Sequence, residues 1–291
     1  MNPQLTKVGF IGTGVMGGSM ASHVQQGGYE VHIYTRTKEK ALPLIEQGLI
    51  WQDTPGNLAR VCDVIITMVG YPSDVEELYL GPSGLIDSAR SGTTFIDMTT
   101  SSPALARRIY DAAKARGMYA LDAPVSGGDI GARNAALTIM AGGDREDYER
   151  VLPILSRMGK QILLQGAAGA GQHTKMANQI AIASTMIGVC EALIYAKNAG
   201  LELDQVLQSI SAGSAGSWSL SNLAPRMVAG NFEPGFYVKH FIKDMGIALD
   251  SAAEMQIELP GLALARELYQ RIADAGLGDK GTHALYKAWD E

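Results

Sequence analysis

Lys175 is an ammonium with almost no charged company. It lies near the start of a stretch, about Gly169 to Gly200, that reads as one unbroken helix, and no other formal charge follows it until Glu191. A helix of that length spans roughly 45 Å at ~1.5 Å per residue. A lysine serves as general acid or base when its neutral form is reachable near neutral pH. A free ammonium titrates near ~10.4, and burial or a second cation lowers that value. Read alone, Lys175 fits a lysine snorkelling from a buried helix, its stem on apolar surface and its head in water. Asn178 follows at i+3 and shares its helix face.

Two glycine-rich stretches supply the other chemistry. The first is Gly12-Thr13-Gly14-Val15-Met16-Gly17, preceded by the apolar run Lys7 to Ile11 and followed by a helical segment to about Gln26 and a β-branched run, Tyr29 to Thr35. Strand, GxGxxG, helix and strand in about 30 residues is the context of a dinucleotide site. Gly12 allows the tight turn, Gly14 lets backbone approach a pyrophosphate, and Gly17 lets helix and strand pack closely. The helix start then offers N–H groups and partial positive charge to phosphate. At the end of the second strand, NAD sites usually carry an acid for the ribose hydroxyls. Here the residues are Thr35-Arg36-Thr37-Lys38, and no carboxylate precedes Glu39. Arg36 can fork onto a 2′-phosphate, Thr37 can donate its hydroxyl and Lys38 adds charge. NADP is therefore favoured as cofactor, with NAD possible and less preferred; the alternative is that Arg36 and Lys38 are merely solvated. The second stretch, Ser126-Gly127-Gly128, reads as a loop prolonged by Gly131. Glycine pairs let successive N–H groups converge on an anion such as a carboxylate, although a flexible connector accounts for the same residues.

These residues need elements to hold them. Strand and helix alternate through Gln165, with strands at about Asp63 to Val69, Thr93 to Met98, Met118 to Ala123, Leu137 to Ala141 and Lys160 to Gln165. Ligands in such folds lie at the carboxyl ends of strands, which puts Met68, Val69, Thr99, Thr100 and the Pro124 to Gly128 turn on one rim. After Gly200 the segments read as helices only, with Asp204 a candidate cap and Lys239, His240, Lys243 and Asp244 on one segment, Val238 to Met255. The expected fold is an α/β Rossmann-type N-terminal domain, residues 1–166, joined by a long interdomain helix to an all-α C-terminal domain, residues 167–291.

Composition sets limits. The 291 residues are 46% hydrophobic and 19% charged, with net charge −6, so the chain is globular and unlike a general nucleic-acid or anionic-membrane binder. Cys62 and Cys190 each sit in apolar runs and read as buried thiols. No metal-ligand spacing appears. The start reads straight into a strand without a signal peptide. The most apolar part of the long helix, Ile180 to Cys190, reads as too short to span a bilayer. A reducing, cytoplasmic setting follows as the default. The apolar long helix suggests burial against another copy, as a homodimer or homotetramer.

Taken together, Phe10 to Ala21, Asp97 to Pro103, Asp122 to Gly128, Gly171 to Asn178 and Lys243-Asp244-Met245 resemble the β-hydroxyacid dehydrogenase family, whose best-known member is 3-hydroxyisobutyrate dehydrogenase. The resemblance covers the whole chain. Thr13 stands where the family commonly has leucine, and the acid that many NAD-using members carry near Thr35 is absent. The resemblance implies an NAD(P)-dependent oxidoreductase that interconverts a small 3-hydroxy acid and its semialdehyde. It implies Lys175 as the catalytic lysine, with Ser126, Gly127 and Gly128 on the substrate carboxylate. Asn178 would lie beside the substrate, Thr100 would touch the cofactor, and Lys243 would sit near nicotinamide and substrate. His173 and His240 match no catalytic position of the family and read as packing residues. Trp218, Phe232, Phe236 and Tyr237 are candidate pocket liners. Two other readings compete: an imine reductase, in which the lysine is usually replaced, and a non-catalytic NADP-binding interaction protein, a role that some members take after losing the lysine; Lys175 counts against both.

Overall fold

The computed structural model describes residues 1–289, which form two compact units, Met1–Lys175 and Met176 onward. The first holds every strand. In chain order its elements are β1 (Lys7–Ile11), α1 (Gly17–Gln26), β2 (Glu30–Tyr34), α2 (Leu42–Glu46), β3 (Ile50–Trp51), α3 (Pro55–Val61), β4 (Val64–Thr67), α4 (Pro72–Leu80), α5 (Leu85–Ser88), β5 (Thr94–Asp97), α6 (Pro103–Lys114), β6 (Tyr119–Asp122), β7 (Val125–Ser126), α7 (Gly128–Arg133), β8 (Leu137–Gly142), α8 (Arg145–Leu155) and β9 (Gly159–Gly166). One sheet runs β3-β2-β1-β4-β5-β6-β8-β7, with β9 beside β8. Pairing is parallel from β3 through β6, and β8 runs antiparallel to β6 and β7. The chain order reverses between β1 and β4, and such a switch point opens a crevice at the carboxyl ends of the strands.

Side-chain alternation explains why β1, β4 and β5 read as apolar runs. Val8, Phe10, Val64, Ile66 and Ile96 face one helical layer, while Ile11, Ile65 and Phe95 face the other. A strand buried on both faces cannot show a polar side. Helix starts follow local chemistry. Thr54 accepts the Asn57 N–H at 3.0 Å with Pro55 next in line, and Ser102 accepts the Leu105 N–H at 3.4 Å before Pro103. A hydroxyl cap followed by proline satisfies one orphan donor and removes another.

The second unit is helical: α10 (Leu203–Ile210), α11 (Trp218–Asn222), α12 (Ala224–Val228), α13 (Val238–Glu254), α14 (Pro260–Ile272) and two short final turns. The long helix α9 (Ala170–Asn198) begins in the first unit and supplies the spine of the second, through Met176, Ala183, Met186, Val189, Cys190 and Leu193. Cys62 and Cys190 are buried free thiols, as read from the sequence.

Several local readings need correction. The interval 38–62, left unassigned by the sequence, carries α2, β3 and α3. Ser126 belongs to a strand, and Gly127 leads into α7, so Gly131 lies within a short helix and not in a loop. Glu202 precedes α10, and Asp204 lies inside its first turn. Finally, α9 taken whole is long and apolar enough to cross a membrane by length and composition, unlike its uninterrupted apolar core.

Candidate functional site

The glycine loop after β1 divides its work. Gly12 has φ +94°, and its N–H donates to the Tyr34 carbonyl at 2.9 Å. A Cβ on Gly12 would stand 2.2 Å from the Met68 carbonyl oxygen, so β1 and β4 meet backbone to backbone at the switch point. A Cβ on Gly17 would stand 1.9 Å from the Gly12 oxygen. Gly14 differs, because nothing lies within 4 Å of the Cβ it lacks. Two glycines thus close the fold and the third keeps space open. Val15 is exposed and Met16 half-buried at the mouth of α1. Thr13 is buried, and its hydroxyl has no protein partner. An open cradle, a helix start and an orphan hydroxyl fit a dinucleotide phosphate.

Arg36 and Thr37 follow β2 on the surface. The Arg36 side chain is 80% exposed, and its Nη1 lies 3.3 Å from Asp74 Oδ1. The other Asp74 oxygen accepts the Tyr71 N–H at 3.1 Å at the start of α4. A carboxylate therefore does stand at the end of β2, supplied from α4. Nothing near β2 in the sequence marks it, because Asp74 is 38 residues away. Lys38 lies over the Trp51 ring, 5.4 Å from its centre.

The next loops continue the rim. The Met68 N–H donates to Ile11 at 2.9 Å, and the Val69 N–H to the Thr99 hydroxyl at 3.0 Å. Thr100 lies between buried Thr99 and buried Ser101. Beneath them Asp97 accepts hydrogen bonds from the Thr67 hydroxyl (2.8 Å) and the Thr99 N–H (3.1 Å), and Tyr79 joins through Thr67 at 3.0 Å. Burial pushes the Asp97 carboxyl up to about 6, with those hydrogen bonds opposing the rise. On the far side of β6, Ser126 pairs with Thr138, and Gly127 and Gly128 both take positive φ, +127° and +62°.

The start of α9 is fastened to this rim. Asp122, the last residue of β6, accepts the Gly169 N–H at 2.7 Å and the Gln172 N–H at 2.8 Å. Gln172 is fully buried; its Oε1 accepts the Ser101 N–H at 2.9 Å, and its Nε2 donates to the Thr99 carbonyl at 2.7 Å. Lys175 follows one turn later and is 7% exposed. His173 lies 3.4 Å from the Arg107 guanidinium. No local signal in the sequence marks Asp122 or Gln172 for this role, although Gln172 lies three residues before Lys175.

Asn178 and Lys243 belong to the second unit. Asn178 donates to Gln179 (2.8 Å), and Gln179 donates to buried Asp244 (2.6 Å). Lys243 Nζ lies 3.0 Å from Asp244 Oδ1 without hydrogen-bond alignment. Burial and the neighbouring Lys243 charge hold the His240 imidazole below its ordinary value. Of the four aromatic candidates, Phe232 stacks on His283 (5.6 Å) and Phe236 packs edge-on to Phe241 (5.7 Å), both against the second core. Tyr237 contacts His240 at 5.7 Å, and Trp218 is 63% exposed. Among the described residues no group of three metal-ligating side chains occurs.

Comparison with known proteins gives the same picture across the whole length. Residues 7–166 match the NAD binding domain of 6-phosphogluconate dehydrogenase, and residues 169–289 match the NAD-binding domain of NADP-dependent 3-hydroxyisobutyrate dehydrogenase. A Bacillus subtilis protein described as an uncharacterized oxidoreductase is 61% identical, over 97% of this chain and 98% of its own. The Escherichia coli 2-hydroxy-3-oxopropionate reductase is 37% identical over 97% and 96%. The solved structure of Mycobacterium tuberculosis 3-hydroxyisobutyrate dehydrogenase with L-serine superposes with a TM-score of 0.90, at 30% identity, covering 98% of this chain and 99% of that one. Sequence, fold and comparison converge, and the chain belongs to the β-hydroxyacid dehydrogenase family.

Proposed function

We propose that this protein is an NAD(P)-dependent oxidoreductase that interconverts a small 3-hydroxy acid and its semialdehyde, with Lys175 as general acid and base. Membership of the family and likeness to enzymes named for such substrates support the reaction class. The observation that carries the assignment to Lys175 is its burial one turn beyond Gln172, on a helix fastened to the carboxyl edge of the sheet.

The residues that would hold the dinucleotide are Gly12 to Gly17 at the pyrophosphate, Arg36 and Thr37 at the adenosine ribose, and Met68, Val69 and Thr100 along the rim. When bound, the nicotinamide supplies the hydride acceptor for oxidation or the donor for reduction. Lys175 takes the hydroxyl proton as the alcohol is oxidised and returns one to the carbonyl oxygen as the aldehyde is reduced. Ser126, Gly127 and Gly128 hold the substrate carboxylate through backbone and hydroxyl donors. By the resemblance, Asn178 and Lys243 would orient the substrate. Arg36 supports a preference for NADP over NAD. Asp74 tempers that reading, because it occupies the guanidinium with a carboxylate. A cytoplasmic setting and a homodimer or homotetramer complete the proposal. Two free buried thiols support the first, and the exposed small residues Ala177, Ala181 and Gly188 along α9 support the second.

The test is oxidation of NADPH and of NADH with tartronate semialdehyde, methylmalonate semialdehyde, succinic semialdehyde and glyoxylate. Native protein is expected to turn over at least one of them faster with NADPH. Lys175→Ala is expected to lower kcat by about 10²–10⁴-fold, the usual scale of general acid–base catalysis, with NADPH affinity retained. Turnover of none of these aldehydes by native protein that binds NADPH tightly would reject the enzyme reading in favour of a binding protein.

A further inference from the structure

We infer that Gln172 and Asp122 are positioning residues that together fix Lys175 against the loops following β5 and β6. The inference rests on the assignment of Lys175 as acid and base. A helix start usually takes its cap from the residue just before it. Here the cap is a carboxylate from β6, with one oxygen on the Gly169 N–H and the other on the Gln172 N–H. The helix end sits directly on strand backbone. A Cβ on Gly171 would lie 2.2 Å from the Met140 carbonyl oxygen and 2.7 Å from that of Asp122. Asp122 is also four residues before Ser126, so the same carboxylate ties the carboxylate-binding turn to the helix.

Gln172 completes the arrangement from the helix side. Its carboxamide accepts from Ser101 and donates to Thr99, the two backbone neighbours of Thr100. A single buried side chain therefore reads the residues on both sides of the expected cofactor contact, while its own backbone N–H is held by Asp122. Three segments, those of Thr100, Ser126 and Lys175, converge on these two side chains. Neither side chain needs to touch substrate. Their effect is on geometry, where a displacement of ~1 Å can cost about 10²-fold in rate.

The experiment compares Gln172→Glu and Gln172→Leu with native protein and Lys175→Ala, using the best aldehyde of the panel and NADPH, at 25 °C. Glutamate keeps the shape, but when ionised it loses the donor and sets negative oxygen against the Thr99 carbonyl. Ionisable groups on the packed elements are Asp122 from β6, Asp97 from β5, Arg107 from α6, and His173 and Lys175 on the helix itself. Burial beside the Asp122 carboxylate raises the pKa of the introduced carboxyl. Once protonated, that carboxyl again offers one donor and one acceptor.

Gln172→Glu is expected to lower kcat at least tenfold at pH 8, with the NADPH Kd from fluorescence titration changed less than threefold. The ratio of its kcat to the native value should rise as pH falls toward 6. Gln172→Leu should show the loss with no recovery at any pH. Variants that melt earlier but keep native kcat, or whose loss follows weakened NADPH binding at every pH, would overturn the positioning role. Failure of the parent assignment looks different: Lys175→Ala would then keep its turnover.

Discussion

Gly14→Ala separates folding from cofactor binding at one atom. The methyl group meets nothing within 4 Å, and Gly14 is not among the residues with positive φ, so the folded protein accepts it. Replacing glycine where alanine fits stabilises by about 0.4–1 kcal/mol, through the unfolded chain. For the first unit that amounts to a rise in Tm of roughly 1–4 °C without cofactor. The same methyl occupies the space a pyrophosphate would approach. Overpacking of this kind costs about 1–3 kcal/mol, or roughly a 5- to 150-fold rise in Kd. NADPH fluorescence titration measures the Kd, and thermal melts with and without NADPH measure the linkage. Saturation at ~100 Kd adds about 2.7 kcal/mol to native protein, and at the same NADPH concentration the variant should lose roughly 0.9–2.4 kcal/mol of that gain. Gly17→Ala is the control, because its methyl would lie 1.9 Å from the backbone oxygen of Gly12. It should destabilise by more than about 3 kcal/mol before cofactor is added. An unchanged NADPH Kd in Gly14→Ala, or equal destabilisation by the two substitutions, would refute the division of labour among the loop glycines.

Arg36→Asp should lower the ratio of NADP to NAD catalytic efficiency by at least about tenfold, since a charge-assisted phosphate contact is worth about 1.5–3 kcal/mol. Steady-state kinetics with both cofactors checks it, and an unmoved ratio removes Arg36 from the site. Its pair with Asp74 is too exposed for stability to change by more than about 1 kcal/mol. Asp97 gives a pH signature. Its folded carboxyl sits at about 6, above the ordinary value of 3.8, so the folded state holds the proton more tightly. That stabilisation is fully present below pH ~4 and is lost as pH rises through 6, an effect of up to about 3 kcal/mol at ~1.36 kcal/mol per unit. Asp97→Asn keeps an acceptor for Thr67 and Thr99, and should flatten the slope of urea-unfolding stability between pH 4 and 6; an unaltered slope would show that Asp97 is not its source.

Local signals carried the sequence reading wherever chemistry and geometry were close together in the chain. The βαβ unit at Lys7 to Tyr34 was legible because its glycines, helix and strands fall within one short window. β3 was not, being two residues long and fixed by pairing with β2. α7 reads as a loop because its six residues include two glycines, which are poor helix formers. What places it is the return to β8. The residues that matter most and were missed all act across long separations. Asp74 reaches Arg36 from 38 residues away, and Asp122 reaches Gly169 from 47. No periodicity announces such a contact. Lys175 could be found because one charge in an apolar helix is conspicuous, whereas a glutamine three residues earlier is not.

The fastening of α9 also bears on how the chain opens. Hydrogen bonds that depend on distant strands break only when those strands separate. The Gly169 and Gln172 amides, bound to Asp122, should exchange with deuterium as slowly as the central strands β4 and β5, although they lie at a helix end. The opposite end, near Asn198, is exposed, and there the amides should exchange by ordinary fraying. One continuous helix would then carry two exchange regimes, with the slow one at its first turn.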